Sequence, residues 1–392
     1  MRYLIPFIAC ILIVHGFNGC SEGSSSTASV NDPKQDYQAA LEEILANESG
    51  KGISAAVILP DGTEWRGCAG YSSLGCPITP DMLFDMGSAG KNLFAALMLK
   101  LEEENVLSLD DPVGQYIPQM PNVNPDVTLR QCLNHTNGMY MIRENPDSPY
   151  QSPYDQIEFE RWWSMTEIFD ELMHDPYFEP GSGWHFTHAG YHLSSIIVEL
   201  LTFNSPANVI QEKLLNPLNI DGMLLNLQEP LPTSCRVAHQ WVDFDSDGSL
   251  DDVSGYSRNW INSLSRLLYY STPEALAKWL HSLMNGDVLS GESMSSMLQF
   301  YSPCPGEEMT AGYGLGTSQY FIDGIEAWGH TGSIPGYRTL ALYFPDSGST
   351  VVMMINWDTD TALNELIRPL MRSVLDEPNS ESMGVTQGYD SM

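Results

Sequence analysis

The 392-residue chain carries 17 Lys and Arg against 50 Asp and Glu, a formal charge of −33. Phosphate backbones and anionic lipid faces repel such a polyanion, which excludes nucleic-acid binding, and a content of 43% hydrophobic and 10% aromatic residues excludes a disordered chain. At this length two or more domains are expected, or one large domain with an insert, because single cores stop growing near ~250 to 300 residues.

In chain order, Met1-Arg2 and the apolar run Tyr3 to Val14 have the cation and short hydrophobic stretch of an export signal, too short for a stable anchor. At its end, Phe17-Asn18-Gly19-Cys20 resembles a bacterial lipobox. The reading is a signal peptide over 1–19, acyl chains on Cys20 and a flexible Ser-rich tether over 20–35, which puts the protein in the periplasm or on the cell surface as a lipoprotein. Plain secretion is the alternative. No other apolar stretch reaches the ~20 residues needed to span a bilayer. Without Cys10 and Cys20 the cysteines are Cys68, Cys76, Cys132, Cys235 and Cys304, an odd set with at least one free thiol. Cys68 and Cys76 bracket a Gly-Ser turn and have the spacing to close a small loop, Cys132 is expected to be buried, and a Cys235–Cys304 pairing is permitted.

Apolar periodicity predicts a helix over Asp36 to Ala46, strands over Ile53 to Leu59 and Thr63 to Ala69 around a Pro60-Asp61-Gly62 turn, and a strong helix over Ser88 to Glu104. From there to about Asn285 the chain reads as helices and Pro-rich loops, with helices over Ser164 to Met173, Tyr191 to Leu201 and Pro273 to Met284. Strands return over Ala327 to Gly329, Tyr337 to Phe344 and Thr350 to Asn356, before a closing helix from about Ala362 to Leu375. The fold class is α/β of the α+β type. One antiparallel sheet is built from both chain ends and flanked by helices, with a mainly helical lobe inserted over roughly 105–285 of a domain spanning 36–375. The polar tail 376–392 is expected to be disordered.

Two local patterns carry chemistry. Ser88-Ala89-Gly90-Lys91 is an S-x-x-K at a helix start, where i, i+3 spacing stacks hydroxyl and amine on one face. Asp243-Phe244-Asp245-Ser246-Asp247-Gly248 follows the first half of a calcium loop, with Asp251 as a late ligand and Ser254 where a bidentate carboxylate is usual. It reads either as a Ca2+ site of Asp243, Asp245, Asp247 and Asp251 or as an acidic surface loop.

Further motifs follow in order: Leu129-Arg130-Gln131-Cys132-Leu133-Asn134-His135-Thr136-Asn137-Gly138, Pro180-Gly181 with Trp184-His185-Phe186-Thr187-His188-Ala189-Gly190-Tyr191, Ser271-Thr272-Pro273-Glu274-Ala275-Leu276-Ala277-Lys278-Trp279, Tyr313-Gly314-Leu315-Gly316, and His330-Thr331-Gly332. With Ser88 and Lys91 they make the chain resemble the beta-lactamase-related serine hydrolases, which include class C beta-lactamases, DD-peptidases and esterases, over roughly Asp36 to Leu375. The resemblance implies a two-lobed fold with the cleft between the lobes, an acyl-enzyme at Ser88, and no organic cofactor. Lys91, its pKa lowered by burial and a neighbouring cation, takes the hydroxyl proton. The N–H groups of Ser88 and Ser333 form the oxyanion hole, His330 contributes charge or a hydrogen bond, and Thr331 and Gly332 line the substrate strand.

One position departs from the pattern: Phe186 stands where the family has a proton-shuttling tyrosine. Residues i and i+2 of an extended loop share a side, so His188 is expected to face the cleft with Phe186 and to serve as a base, while His185 faces away. The favoured function is hydrolysis of an ester or amide in a small molecule or peptide. The competing one is a non-catalytic protein of the same fold that binds a cell-wall or peptide ligand.

Overall fold

The computed structural model describes residues 33–48, 50–142, 167, 169–170, 173–225, 236–243, 247–254, 269–306 and 310–375. The signal, Cys20, most of the tether, Cys235, Asp245, most of the 164–173 helix and the tail lie outside the described residues.

A first helix, α1 (Pro33–Glu48), leads into the strands β1 (Gly52–Ile58), β2 (Glu64–Ser73) and β3 (Cys76–Pro77), and β4 (Phe84–Asp85) runs up to helix α2 (Gly90–Glu103). The middle of the chain holds α3 (Leu129–Leu133), α4 (Ala189–Thr202), α5 (Pro206–Ile210) and four two-residue strands, β5 (Met223–Leu224), β6 (Trp241–Val242), β7 (Asp251–Asp252) and β8 (Tyr270–Ser271). Then come α6 (Pro273–Met284), α7 (Gly291–Met297), β9 (Thr310–Tyr313), β10 (Ser318–Ile322), β11 (Ile325–Ile334), β12 (Tyr337–Phe344), β13 (Ser349–Ile355) and α8 (Leu363–Leu375).

Eight strands form one sheet in the order β3-β2-β1-β13-β12-β11-β10-β9, antiparallel at each junction, so both ends of the chain complete it as expected. The register follows the period of two. Ile53, Ala55 and Val57 join Val351, Met353 and Ile355 on the face covered by Tyr37, Leu41 and Ile44 of α1 and Leu366, Ile367 and Leu370 of α8. The alternate residues Ala56, Ile58, Val352 and Met354 face the larger core of α2 and α6. A sheet sandwiched in this way needs apolar residues on both faces, which is why β1 and β13 are buried throughout. Helix α6 starts where Thr272 Oγ1 accepts from Ala275 N at 3.1 Å, with Pro273 in the first turn.

α2 is the central helix, buried on every side from Gly90 to Leu99. Inside it, Asn92 Nδ2 donates to Thr317 Oγ1 at 2.9 Å and Asn92 Oδ1 accepts from Trp279 Nε1 at 2.8 Å, tying α2 to the β9–β10 connection and to α6. The cysteines correct one expectation. Cys76 is disulfide-bonded, whereas Cys68 is free and its thiol donates to Ile78 O at 3.3 Å, so the two do not close a loop. Cys304 is a thiol outside any disulfide, which removes a Cys235–Cys304 bond, and Cys132 is a fully buried thiol.

Candidate active site

β4 delivers the chain into a 3-10 turn, Gly87–Ala89, held from behind by Asp85 Oδ1, which accepts from Gly87 N at 2.9 Å. Met86 N donates to Tyr269 O at 3.0 Å. Ser88 is the one residue between Met82 and Leu99 that is not buried, so its hydroxyl surfaces at the head of an enclosed helix. Three residues on, Lys91 is 4% exposed and its Nζ donates to Ser88 Oγ at 2.8 Å, the contact that the i, i+3 spacing allows.

Strand β11 passes close to this turn. A Cβ on Gly332 would stand 2.0 Å from Met86 O, so any larger residue would push the strand away. The approach brings the Ser333 amide to 3.0 Å from where a Gly87 Cβ would be, beside the Ser88 turn. Ser333 is exposed and Thr331 half-buried. The Tyr313-Gly314-Leu315-Gly316 segment closes on α2 in the same way: Gly316 has φ +59, and a Cβ there would meet Lys91 O at 2.5 Å.

Two other motif segments interlock to place Phe186. His135 O accepts from His185 N at 3.1 Å, His135 Nδ1 from Thr187 N at 3.3 Å, and Thr136 O from Gly181 N at 2.8 Å. The Phe186 ring then lies 4.5 Å from that of His135, and its centroid is 4.9 Å from Lys91 Nζ, with the Tyr191 ring at 5.5 Å from the same nitrogen. The face of an aromatic ring attracts a cation, so these rings hold the lysine head where water is scarce. His188 meets the Phe186 ring edge-on at 5.5 Å and stacks on His192 at 6.3 Å, so it joins the site through Phe186. His185 stacks on Tyr177 at 4.1 Å.

His330 is 4% exposed, with Nε2 2.9 Å from Tyr313 Oη and Nδ1 2.6 Å from Thr331 O. A carbonyl only accepts, so Nδ1 carries a proton, and in the neutral ring Nε2 accepts from the Tyr313 hydroxyl. Burial first, and then the positive charge of Lys91, push this imidazole down to about 3, against the Thr331 hydrogen bond. His135 is held neutral likewise. Burial, then Lys91, His330 and His185, push it well below its ordinary value.

Around Ser88 the fold therefore gathers Lys91, Phe186, His330 and the Thr331–Ser333 stretch of β11. Sequence reasoning assigned no role to Tyr313, His135 or Asp85. Tyr313 and His135 stand inside quoted motifs, which was the available signal, and Asp85 stands three residues before the nucleophile. In the acidic loop, Asp243 accepts from Asp247 N at 3.1 Å and Gly248 N at 3.0 Å, and Asp247 Oδ1 accepts from Ser249 N at 2.8 Å. Asp251 lies exposed in β7, opposite Val242. Asp243 and Asp247 thus serve the loop's own amides, and among the described residues no three His, Cys, Asp or Glu side chains are grouped to hold a metal ion.

The family model described as Beta-lactamase matches residues 38–376. The chain is similar to penicillin-binding protein 4* of Bacillus subtilis (strain 168), at 25% identity over 320 residues, 76% of this chain and 66% of that protein, and so spans just under two thirds of that relative's length. It is also similar to unguisins hydrolase ungD' of Aspergillus campestris, at 22% identity over 94% of this chain and 70% of that one. Among solved structures, the D-amino acid amidase from Ochrobactrum anthropi SV3 superposes with a TM-score of 0.78 at 21% identity, covering 88% of this chain and 99% of that one. The D-stereospecific amidohydrolase from a Streptomyces species gives 0.73 at 23% identity, covering 87% and 98%. At these identities the two structures speak for the fold.

Proposed function

The chain belongs to the beta-lactamase family, and on that premise we propose that it is a serine hydrolase that cleaves an ester or amide through an acyl-enzyme at Ser88. The observation that carries the proposal is the 2.8 Å contact between Lys91 Nζ and Ser88 Oγ at the head of a buried helix, with the Ser333 amide across the turn. The names of the relatives, an amidase, an amidohydrolase and a hydrolase among them, point to the same class of reaction.

The substrate enters the cleft between the sheet and the helical lobe of roughly 105–285. Ser88 Oγ attacks its carbonyl carbon while the hydroxyl proton passes to Lys91, which acts as a free amine after losing its own proton, the 2.8 Å contact then running from hydroxyl to nitrogen. The negative oxygen of the tetrahedral intermediate is received by the N–H groups of Ser88 and Ser333. The carbonyl re-forms and the leaving group departs, as an anion when it is stable enough, otherwise with the proton returned from Lys91. Water then attacks the acyl ester and restores Ser88. No step uses a metal or a cofactor.

Intact mass after incubation with an activated ester tests this reading. One acyl group is expected on the wild type and none on Ser88→Ala. A folded wild-type protein that gains no mass from neutral to alkaline pH would leave only the non-catalytic, ligand-binding reading.

The location belongs to the same proposal. Acyl chains on Cys20 hold the protein at a bacterial membrane surface, a reading supported by the signal-like start and the Ser-rich stretch after it. The expressed protein is expected to enter the detergent phase on phase separation, and Cys20→Ala to remain in the aqueous phase. A mature N-terminus at another residue would rule the anchor out.

A further inference from the structure

The described cations beside Ser88 are all engaged. Lys91 Nζ donates to Ser88 Oγ at 2.8 Å. Arg338, opposite Ser333 across β11 and β12, donates to Ile334 O at 3.1 Å and Tyr337 O at 3.2 Å and faces Asp358 at 2.7 Å. His330 uses both ring nitrogens, Nδ1 toward Thr331 O and Nε2 toward Tyr313 Oη, and so has no spare donor for a ligand.

Phe186 and Tyr191 stand over the head of Lys91, Thr331 and Ser333 on β11 offer only neutral hydroxyls, and the whole chain carries −33. A carboxylate arriving along β11 would give up its hydration for a capped imidazole and a guanidinium already paired with Asp358. An unpaired charge moved out of water in this way is costly.

We infer that this site takes acyl donors whose leaving group carries no carboxylate: neutral esters and amides, rather than acids such as penicillins or peptides with a free C-terminus. The inference rests on the serine-hydrolase reading above and adds the substrate class to it. Tyr313 is then a positioning residue, since its hydroxyl occupies the one nitrogen with which His330 would otherwise meet a ligand.

The test compares two phenylacetate esters with the same acyl group, the 3-carboxyphenyl ester and its 3-methoxycarbonylphenyl counterpart. Both leave as phenoxides, so the demand for a proton on the leaving group is similar and the charge is the variable. The neutral ester is expected to react with a kcat/KM at least about tenfold higher, the scale of one missing charge-assisted hydrogen bond. His330→Lys, which places a cation on β11, is expected to narrow or reverse the ratio. Tyr313→Phe leaves Nε2 open to take up a proton and meet the carboxylate, so it is expected to narrow the ratio in mild acid, and it supplies a second readout if the buried lysine does not fold.

Equal or faster reaction of the carboxylate ester with the wild type would overturn the inference, as would a ratio that neither folded variant moves. If neither ester labels Ser88, the serine-hydrolase reading fails and the inference falls with it, an outcome distinct from labelling without discrimination.

Discussion

Lys91→Met is expected to slow acylation of Ser88 by an activated ester by about 10²–10⁴-fold, the span commonly lost with a positioned acid or base. Methionine keeps the length and apolar stem of the side chain and removes the group that receives the Ser88 proton. The helix should survive, because a buried charge is exchanged for an apolar tip among Phe186 and Tyr191. The dependence on Lys91 should be steep because Phe186 has no hydroxyl to share the work. Phe186→Tyr puts a phenol on a ring whose centroid is 4.9 Å from Lys91 Nζ, and is expected to raise turnover of an amide, whose nitrogen must be protonated to leave, more than that of a phenyl ester. Single-turnover rates on both substrates measure this. Labelling that proceeds unchanged in Lys91→Met would remove the lysine from the proton path.

The Ser88–Lys91 pair was legible because both residues belong to one helix whose apolar residues announce burial, and i, i+3 neighbours meet wherever that helix packs. The strands β2, β1, β13 and β12 in the middle of the sheet were legible as short runs rich in apolar residues, and the closing helix by its apolar stripe. The hairpin of β9 and β10 was not read, because Thr310–Tyr313 and Ser318–Ile322 are short and separated by a Gly-rich turn. The Tyr313–His330 bond had no sequence signature at all. Its partners stand on β9 and β11, with β10 between them in the sheet, so only the assembled register brings them together. For His330, whether the ring offers charge or a hydrogen bond was left open. Its burial and the charge of Lys91, neither visible in a linear motif, hold it neutral. The Cys68–Cys76 expectation failed for a related reason, since proximity in sequence says nothing about which thiol a strand turns inward.

Lowering the pH from about 6.5 to about 5 is expected to destabilise the fold well before its carboxylates titrate. In the unfolded chain histidine titrates near ~6.5, whereas folded His330 sits at about 3 and His135 well below its ordinary value, burial being the main cause for both. Between those values the unfolded state binds more protons than the folded one. Stability therefore rises with pH and is lost as the pH falls, by about 1.4 kcal/mol per pH unit for each histidine. The two together remove about 3 kcal/mol per unit below pH ~6, a large share of the ~5–15 kcal/mol that holds a typical domain. His281, which burial also lowers, adds in the same direction, and Glu103, held at about 2 although burial alone raises it, acts only at lower pH. Urea unfolding at pH 7, 6 and 5 measures the slope. His330→Gln, which retains an acceptor for the Tyr313 hydroxyl, should flatten it by about 1.4 kcal/mol per unit, the share of one histidine. A slope that His330→Gln leaves unchanged would mean that this imidazole takes up its proton without leaving the folded state, and His330 would then be a cation beside Ser88 in mild acid.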